Sequence, residues 1–321
     1  MNQAEELAHV DLNLSHTLQP RKAGLATRVN LRWLGVGLCA LSGISYGFQA
    51  PLAKTAYANG VNVTTMLTLR FTIASLGIWA LVALTRPALR QPWPKMAGLI
   101  FLGVLFVSNS LFYYMALQQM SAGTTTLLVY SFPMLVVLWS VLFFGEKLNR
   151  GRVLALALAV AGCILTVDPA VALGPGTSFS WMGALCAFGS ALSNSIYIVL
   201  SGNKLGKGIP ALTVVAWGTP VTALLFIAWS IFSGDFMFQM PPLAWLCCLG
   251  IGLLTAFSIG AYMAGIQIIG ASRAAITSTT EPATAVLLGI ILLGETASLV
   301  KIAGGALIIS AIVLLSRPAN K

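Results

Sequence analysis

Ten stretches of roughly twenty mostly apolar residues follow one another along this chain, and they leave it few ways to fold. They run over residues 34–53, 64–84, 96–117, 123–144, 153–167, 179–201, 212–232, 243–266, 272–293 and 299–315. The connections between them, such as YANGVN, DPAVALGPG and SGDFMFQMPP, are short and rich in Gly, Pro, Asn and Asp. They leave no room for an extramembrane domain. Only 8% of the 321 residues are charged and 58% are hydrophobic, against about 25% charged in an ordinary soluble domain. So few charges cannot cover a soluble surface. The expected fold is an all-α polytopic membrane protein with ten transmembrane helices.

The net charge of +10 does not point to nucleic acid, because the basic residues lie in short clusters between the apolar stretches. With the N-terminus in the cytoplasm, fifteen of the eighteen basic residues fall on the cytoplasmic side, among them Arg32, Arg86, Arg90, Lys95, Arg152 and Arg273. Lys54 and Lys301 fall outside and Arg70 falls inside a helix. This is the bias that orients membrane proteins, so both termini are expected in the cytoplasm. Residues 1–31 read as a polar cytoplasmic tail without a cleaved signal peptide, and 318–321 as a cytoplasmic end. His9 and His16 are the only histidines and both lie in the tail. A histidine-ligated metal or a histidine relay within the membrane is therefore excluded, and no cofactor is expected. Cys39, Cys163, Cys186, Cys247 and Cys248 lack CxxC spacing and read as buried free thiols.

The sequence repeats. At an offset of 149 residues Tyr113 falls on Tyr262, Gln118 on Gln267, Pro133 on Pro282, and Gly145–Glu146 on Gly294–Glu295. The openings WLGVGLCALSGIS at Trp33 and WMGALCAFGSALS at Trp181 also echo. Two units of five helices follow, 32–170 and 171–317. Because five is odd, the second enters the membrane upside down. A proline partway along the fourth helix of each unit and a Gly-Glu at its end (FPMLVVLWSVLFFGEKL and EPATAVLLGIILLGET) resemble the drug/metabolite transporter superfamily, EamA type. The resemblance implies a metabolite or amino-acid exporter of a bacterial inner membrane. Within the family the chain looks most like exporters of aromatic amino acids.

Glu281 and Arg70 are the only full charges expected near the bilayer midplane, where a charge costs roughly 2.5–3.5 kcal/mol on insertion scales. They read as an ion pair or as two walls of one polar cavity. Arg70 is the candidate for holding a substrate carboxylate, which its planar fork fits. For Glu281 three roles stay open: partner of Arg70, a carboxyl kept protonated by burial, or a group that binds substrate or a coupling proton. Tyr46, Gln49, Asn109, Tyr113, Tyr130, Asn194, Tyr197, Trp217 and Tyr262 come from both units and are the candidate lining of one cavity. Pro51, Pro133, Pro220 and Pro282 are candidate kinks; Pro133 and Pro282 each remove an N–H, which leaves the carbonyls of Val129 and Ser278 without their helical donors. Glu146 and Glu295, at helix ends, are candidate locks. Gly43 and Gly47 form a GxxxG, and Gly183, Ala187, Ala191 and Ser195 a ladder of small residues for close helix packing. Trp93 and Trp181 read as interface anchors.

No GxSxG, HExxH or P-loop is present, so no catalytic residues are assigned and ATP-driven transport by this chain is not expected. The expected function is secondary export of small metabolites, aromatic amino acids such as phenylalanine or tryptophan first, by movement of the two halves around a central site. Transport is driven by the substrate gradient or by proton exchange. The expected partners are the substrate, the bilayer and, in the second case, a proton; the protein is a monomer or homodimer. The alternatives are export of another metabolite or cationic drug by proton antiport, and a membrane-embedded enzyme or signalling protein.

Overall fold

The computed structural model describes residues 25–87, 89–120, 122–167, 180–293 and 299–316. Its twelve helices are α1 (Leu25–Ala58), α2 (Val63–Thr85), α3 (Trp93–Gln119), α4 (Ala122–Val129), α5 (Phe132–Phe144), α6 (Arg150–Val167), α7 (Trp181–Asn203), α8 (Ala211–Ser233), α9 (Pro242–Ile269), α10 (Ala271–Thr277), α11 (Thr280–Leu293) and α12 (Leu299–Ser316). Two pairs, α4–α5 and α10–α11, are broken spans, so the helices make ten segments. Eight of these are long and apolar enough to cross a membrane. The other two, α6 and α12, have 18 residues each and pack against one another.

Hydrocarbon-facing surface explains the composition. Leu142, Phe143, Leu185, Ile231, Phe232, Leu246 and Ile309 are all exposed, which a water-soluble surface would not tolerate in such number. Hydroxyls within the spans are spent on backbone: Thr68, Ser110, Thr255, Ser258 and Thr284 each donate to the carbonyl four residues earlier. The five cysteines are buried and free. Trp93 and Trp181 are the first residues of α3 and α7 and are largely exposed.

The helices of one half pack mainly on those of the other. Helix α1 lies against α9 and α11, as α7 lies against α3 and the α4–α5 span; α2 meets α8 and α9, as α8 meets α2 and α3. Each contact recurs with the roles of the halves exchanged. The recurrence reaches single residues. A methyl group on Gly35 would strike Ile268 and Ile269, and one on Gly183, its counterpart, would strike Gln119 and Met120. The ladder Gly183, Ala187, Ala191, Ser195 is buried along its whole length. Two inverted five-helix repeats are therefore written into the packing as well as the sequence.

The prolines divide into two kinds. Pro51 and Pro220 lie inside the continuous helices α1 and α8. Pro133 and Pro282 lie in the first turns of α5 and α11, just past the breaks at Tyr130–Ser131 and Ser278–Thr279. The expected orphan at Ser278 does not arise. Its carbonyl accepts the N–H of Glu281 at 3.0 Å, because the chain tightens to three-residue spacing through the break. The first helix also runs further than its apolar stretch, from Leu25 to Ala58, which carries Tyr57 on a helix rather than in a loop.

Candidate functional site

The ninth segment turns at Ser278–Thr279, and α11 then starts with Thr280, Glu281 and Pro282. This turn is seated on α1. A methyl group on Gly43 would stand 2.0 Å from the Thr280 hydroxyl and 3.1 Å from the Ser278 carbonyl; one on Gly47 would stand 2.9 Å from the Glu281 carbonyl. The GxxxG thus serves one purpose: it lets the backbone of α1 touch the broken helix that carries the carboxylate. Thr280 Oγ1 completes the seat by donating to the Ala40 carbonyl at 3.2 Å.

The Glu281 carboxylate accepts a hydrogen bond from the Tyr130 hydroxyl at the matching break of the fourth segment. Arg70 lies within electrostatic reach, yet no ion pair closes between them. Among the described residues the ion pair with a close contact is Arg152–Glu146, at 2.7 Å. Arg70 instead donates from Nε to Thr255 Oγ1 at 3.0 Å, and Thr255 stands 3.3 Å from Gln49 Oε1. The guanidinium lies 5.8 Å from the Tyr46 ring centroid and 5.2 Å from that of Phe71. The direct pair is not formed. The terminal nitrogens of Arg70 keep donors for a further acceptor.

Four of the chain's seven tyrosines lie within electrostatic reach of one or both of these charges. Tyr46 and Tyr113 lie within reach of both; Tyr130 bonds Glu281; Tyr57 faces Arg70 and hydrogen-bonds Tyr114, whose ring meets that of Tyr113 edge-on at 5.5 Å. Tyr113 also bonds Thr126. Tyr197 and Tyr262 extend the group from the second half through Tyr46. The Tyr262 hydroxyl is buried near Ser278 but makes no hydrogen bond of ordinary geometry, as is true of the Gln49 amide nitrogen. Buried donors without acceptors are costly unless something else satisfies them.

The Trp217 indole donates to the Leu89 carbonyl at 3.1 Å, between α2 and α3, and Trp217 packs on the same core cluster as Tyr46, Tyr130 and Tyr262. Asn109 accepts from Ser190 at 2.7 Å across the α3–α7 contact. Asn194 is half-buried on α7. Tyr57, Tyr114, Thr126 and Thr255 join the group without having been singled out from the sequence. The signal available for the two tyrosines was the repeat of aromatic residues along α1 and α3. For Thr255, one threonine among many, there was none. Glu146 is held by Arg152 and by the Ser272 hydroxyl, so it joins the end of the fourth segment to the start of the ninth. Glu295 lies outside the described residues.

The model of the EamA-like transporter family matches residues 33–168 and again 181–317. The chain belongs to this family. The uncharacterized transporter YdfC of Bacillus subtilis is 28% identical over 260 residues, 78% of this chain and 81% of that one. The uncharacterized inner membrane transporter YicL of Salmonella typhimurium is 28% identical over 222 residues, 68% and 72% of the two chains. The chloramphenicol-sensitive protein RarD of Pseudomonas aeruginosa is 28% identical over 169 residues, 51% of each. A crystal structure covering 86% of this chain and 95% of its own superposes with a TM-score of 0.71 at 24% identity, which shows the shared fold. This EamA-like chain is a multi-pass membrane transporter, and membership of the family argues for transport rather than catalysis.

Proposed function

We propose that the protein is a secondary exporter of small metabolites, with aromatic amino acids such as phenylalanine and tryptophan the best-fitting substrates. Arg70 takes the substrate carboxylate, the tyrosines hold a flat side chain, and Glu281 faces the ammonium group or carries a coupling proton. The observation that carries this reading is that Tyr46, Tyr57, Tyr113 and Tyr130 stand around one cation and one anion held apart. A zwitterion with an aromatic side chain needs those three things: an acceptor-seeking fork, a counter-charge, and aromatic faces. Breaks in the fourth and ninth segments, and the repeat that relates them, support alternating access around this group. The distribution of basic residues supports cytoplasmic termini in a bacterial inner membrane.

Tyrosines around a carboxylate also suit an organic cation, so the deciding experiment includes one. Purified protein in proteoliposomes is given labelled phenylalanine, tryptophan, threonine or a quaternary amine, with and without a pH gradient. Saturable uptake of the two aromatic amino acids, several-fold above threonine and the amine, is expected. Preference for the amine transfers the site to cations, and no saturable uptake of any of the four sinks the substrate assignment.

A further inference from the structure

At the end of the bundle where α6 and α10 begin and α12 ends, three arginines meet. Arg32 on α1, Arg152 on α6 and Arg273 on α10 lie within electrostatic reach of one another. One carboxylate, Glu146, stands among them, and it is already used: Oε1 by Arg152 and Oε2 by the Ser272 hydroxyl. Arg32 spends one terminal nitrogen on the Leu315 carbonyl in the last turn of α12. The Arg273 side chain makes no hydrogen bond or ion pair among the described residues, and the Nε of all three arginines is buried without an acceptor.

Among the described residues, three cations against one occupied carboxylate leave two positive charges uncompensated. Arg side chains have five donors and no acceptor, so the three cannot satisfy one another. A partly buried cation without a partner is expensive to keep. What the cluster lacks is an anion with several oxygens. Its level in the fold suggests which. It marks the ends of membrane-crossing helices, where lipid phosphates lie, and Arg32 is flanked on α1 by exposed Leu31, Trp33 and Leu34, which open it sideways. Basic pockets between helices at this level bind phosphate headgroups.

We propose that Arg32, Arg152 and Arg273 form a binding site for a phosphate-bearing anion, and that its occupancy pins the two halves together at this end. The site draws α1 and α6 from the first half and α10 from the second, with α12 tied in through Leu315. The cluster shares no residue with the tyrosine site, and the proposal does not depend on what is transported.

The test follows thermal unfolding of the full-length protein in phosphatidylcholine nanodiscs, in nanodiscs one-third phosphatidylglycerol, and in phosphatidylcholine with inorganic phosphate. One or both anions should raise the midpoint by about 2 °C or more. A rise with phosphate alone assigns a soluble anion, and a rise with phosphatidylglycerol alone assigns a lipid. Arg273→Gln should lose the rise while unfolding no earlier than the wild type in phosphatidylcholine, since an uncompensated charge has been removed. Arg32→Gln should lose it too and decides the matter if the first variant misfolds. Arg90→Gln, an exposed arginine of the α2–α3 connection, should keep it. No rise with either anion, an undiminished rise in Arg273→Gln and Arg32→Gln, or loss of the rise in Arg90→Gln overturns the proposal.

Discussion

Where α2 meets α9 the chain carries Arg70, Thr255 and Gln49; where α8 meets α3 the corresponding positions hold Gly218, Phe106 and Tyr197. The backbones of the two contacts match closely. A methyl group on Gly252 would collide with Ile73 and approach the Arg70 carbonyl, and one on Gly103 would collide with the Gly218 carbonyl and Val221. The side chains differ entirely. The first contact is a chain of polar contacts, 3.0 Å from Arg70 to Thr255 and 3.3 Å on to Gln49. The second is an aromatic contact, with Phe106 and Tyr197 centroids 5.2 Å apart, beside a cleft lined by Gly103, Gly218 and Thr222. Glu281 has Phe132 as its counterpart in the same way. The scaffold is therefore duplicated and the charges are not. A midplane charge costs kcal/mol wherever it sits, so the fold itself cannot be what demands Arg70 or Glu281: the equivalent places do without them.

This comparison can be broken by substitution. The largest effect is expected at Arg70→Gln, which removes the charged fork but keeps a polar side chain: affinity for a carboxylate substrate should fall by ~30-fold, about 2 kcal/mol, as read by concentration-dependent uptake. Its counterpart Gly218→Ala adds a methyl that meets nothing closer than 3.8 Å and should leave uptake within ~2-fold. Equal losses in both variants would mean that the two contacts do the same structural job. Next comes Glu281→Gln. It should reduce transport under a pH gradient to the level seen without one, while saturable exchange persists; an unchanged response to the gradient removes the proton from the mechanism. The smallest effect belongs to Tyr130→Phe, which deletes one hydrogen bond to Glu281. A change of ~5-fold in apparent affinity, about 1 kcal/mol, is expected, without loss of folded protein in size-exclusion chromatography.

The sequence made some of this visible. Hydropathy fixes the spans, since in lipid only a helix satisfies its own backbone, and the offset of 149 residues exposed the repeat. Arg70 and Glu281 stood out because charges in such segments are rare. The partners of these charges were harder to find. Thr255 looks like any threonine that bonds back to its own helix, and it does so, at 2.7 Å to Ile251, while also receiving Arg70. Tyr57 sits beside an Asn-Gly turn, so a loop was the natural reading, but α1 continues past it. The bond from the Trp217 indole to the Leu89 carbonyl was not legible, because periodicity locates a residue on a helix without saying which neighbour its ring will reach. The arginine cluster escaped notice for a related reason: its members are 120 residues apart in sequence and each looks like a topology signal alone.

The exchange of partners between halves has a consequence for how such a chain is made. Helix α1 is among the first to leave the ribosome, yet its main neighbours, α9 and α11, begin only at Pro242 and Thr280. At ~5–20 residues per second, the groove of Gly43 and Gly47, which α11 covers, stays open for ~12–47 s. During that wait Tyr46 and Gln49 sit in lipid without the residues that will later meet them. Biogenesis must therefore tolerate, or shelter, a nascent helix whose proper companions do not yet exist.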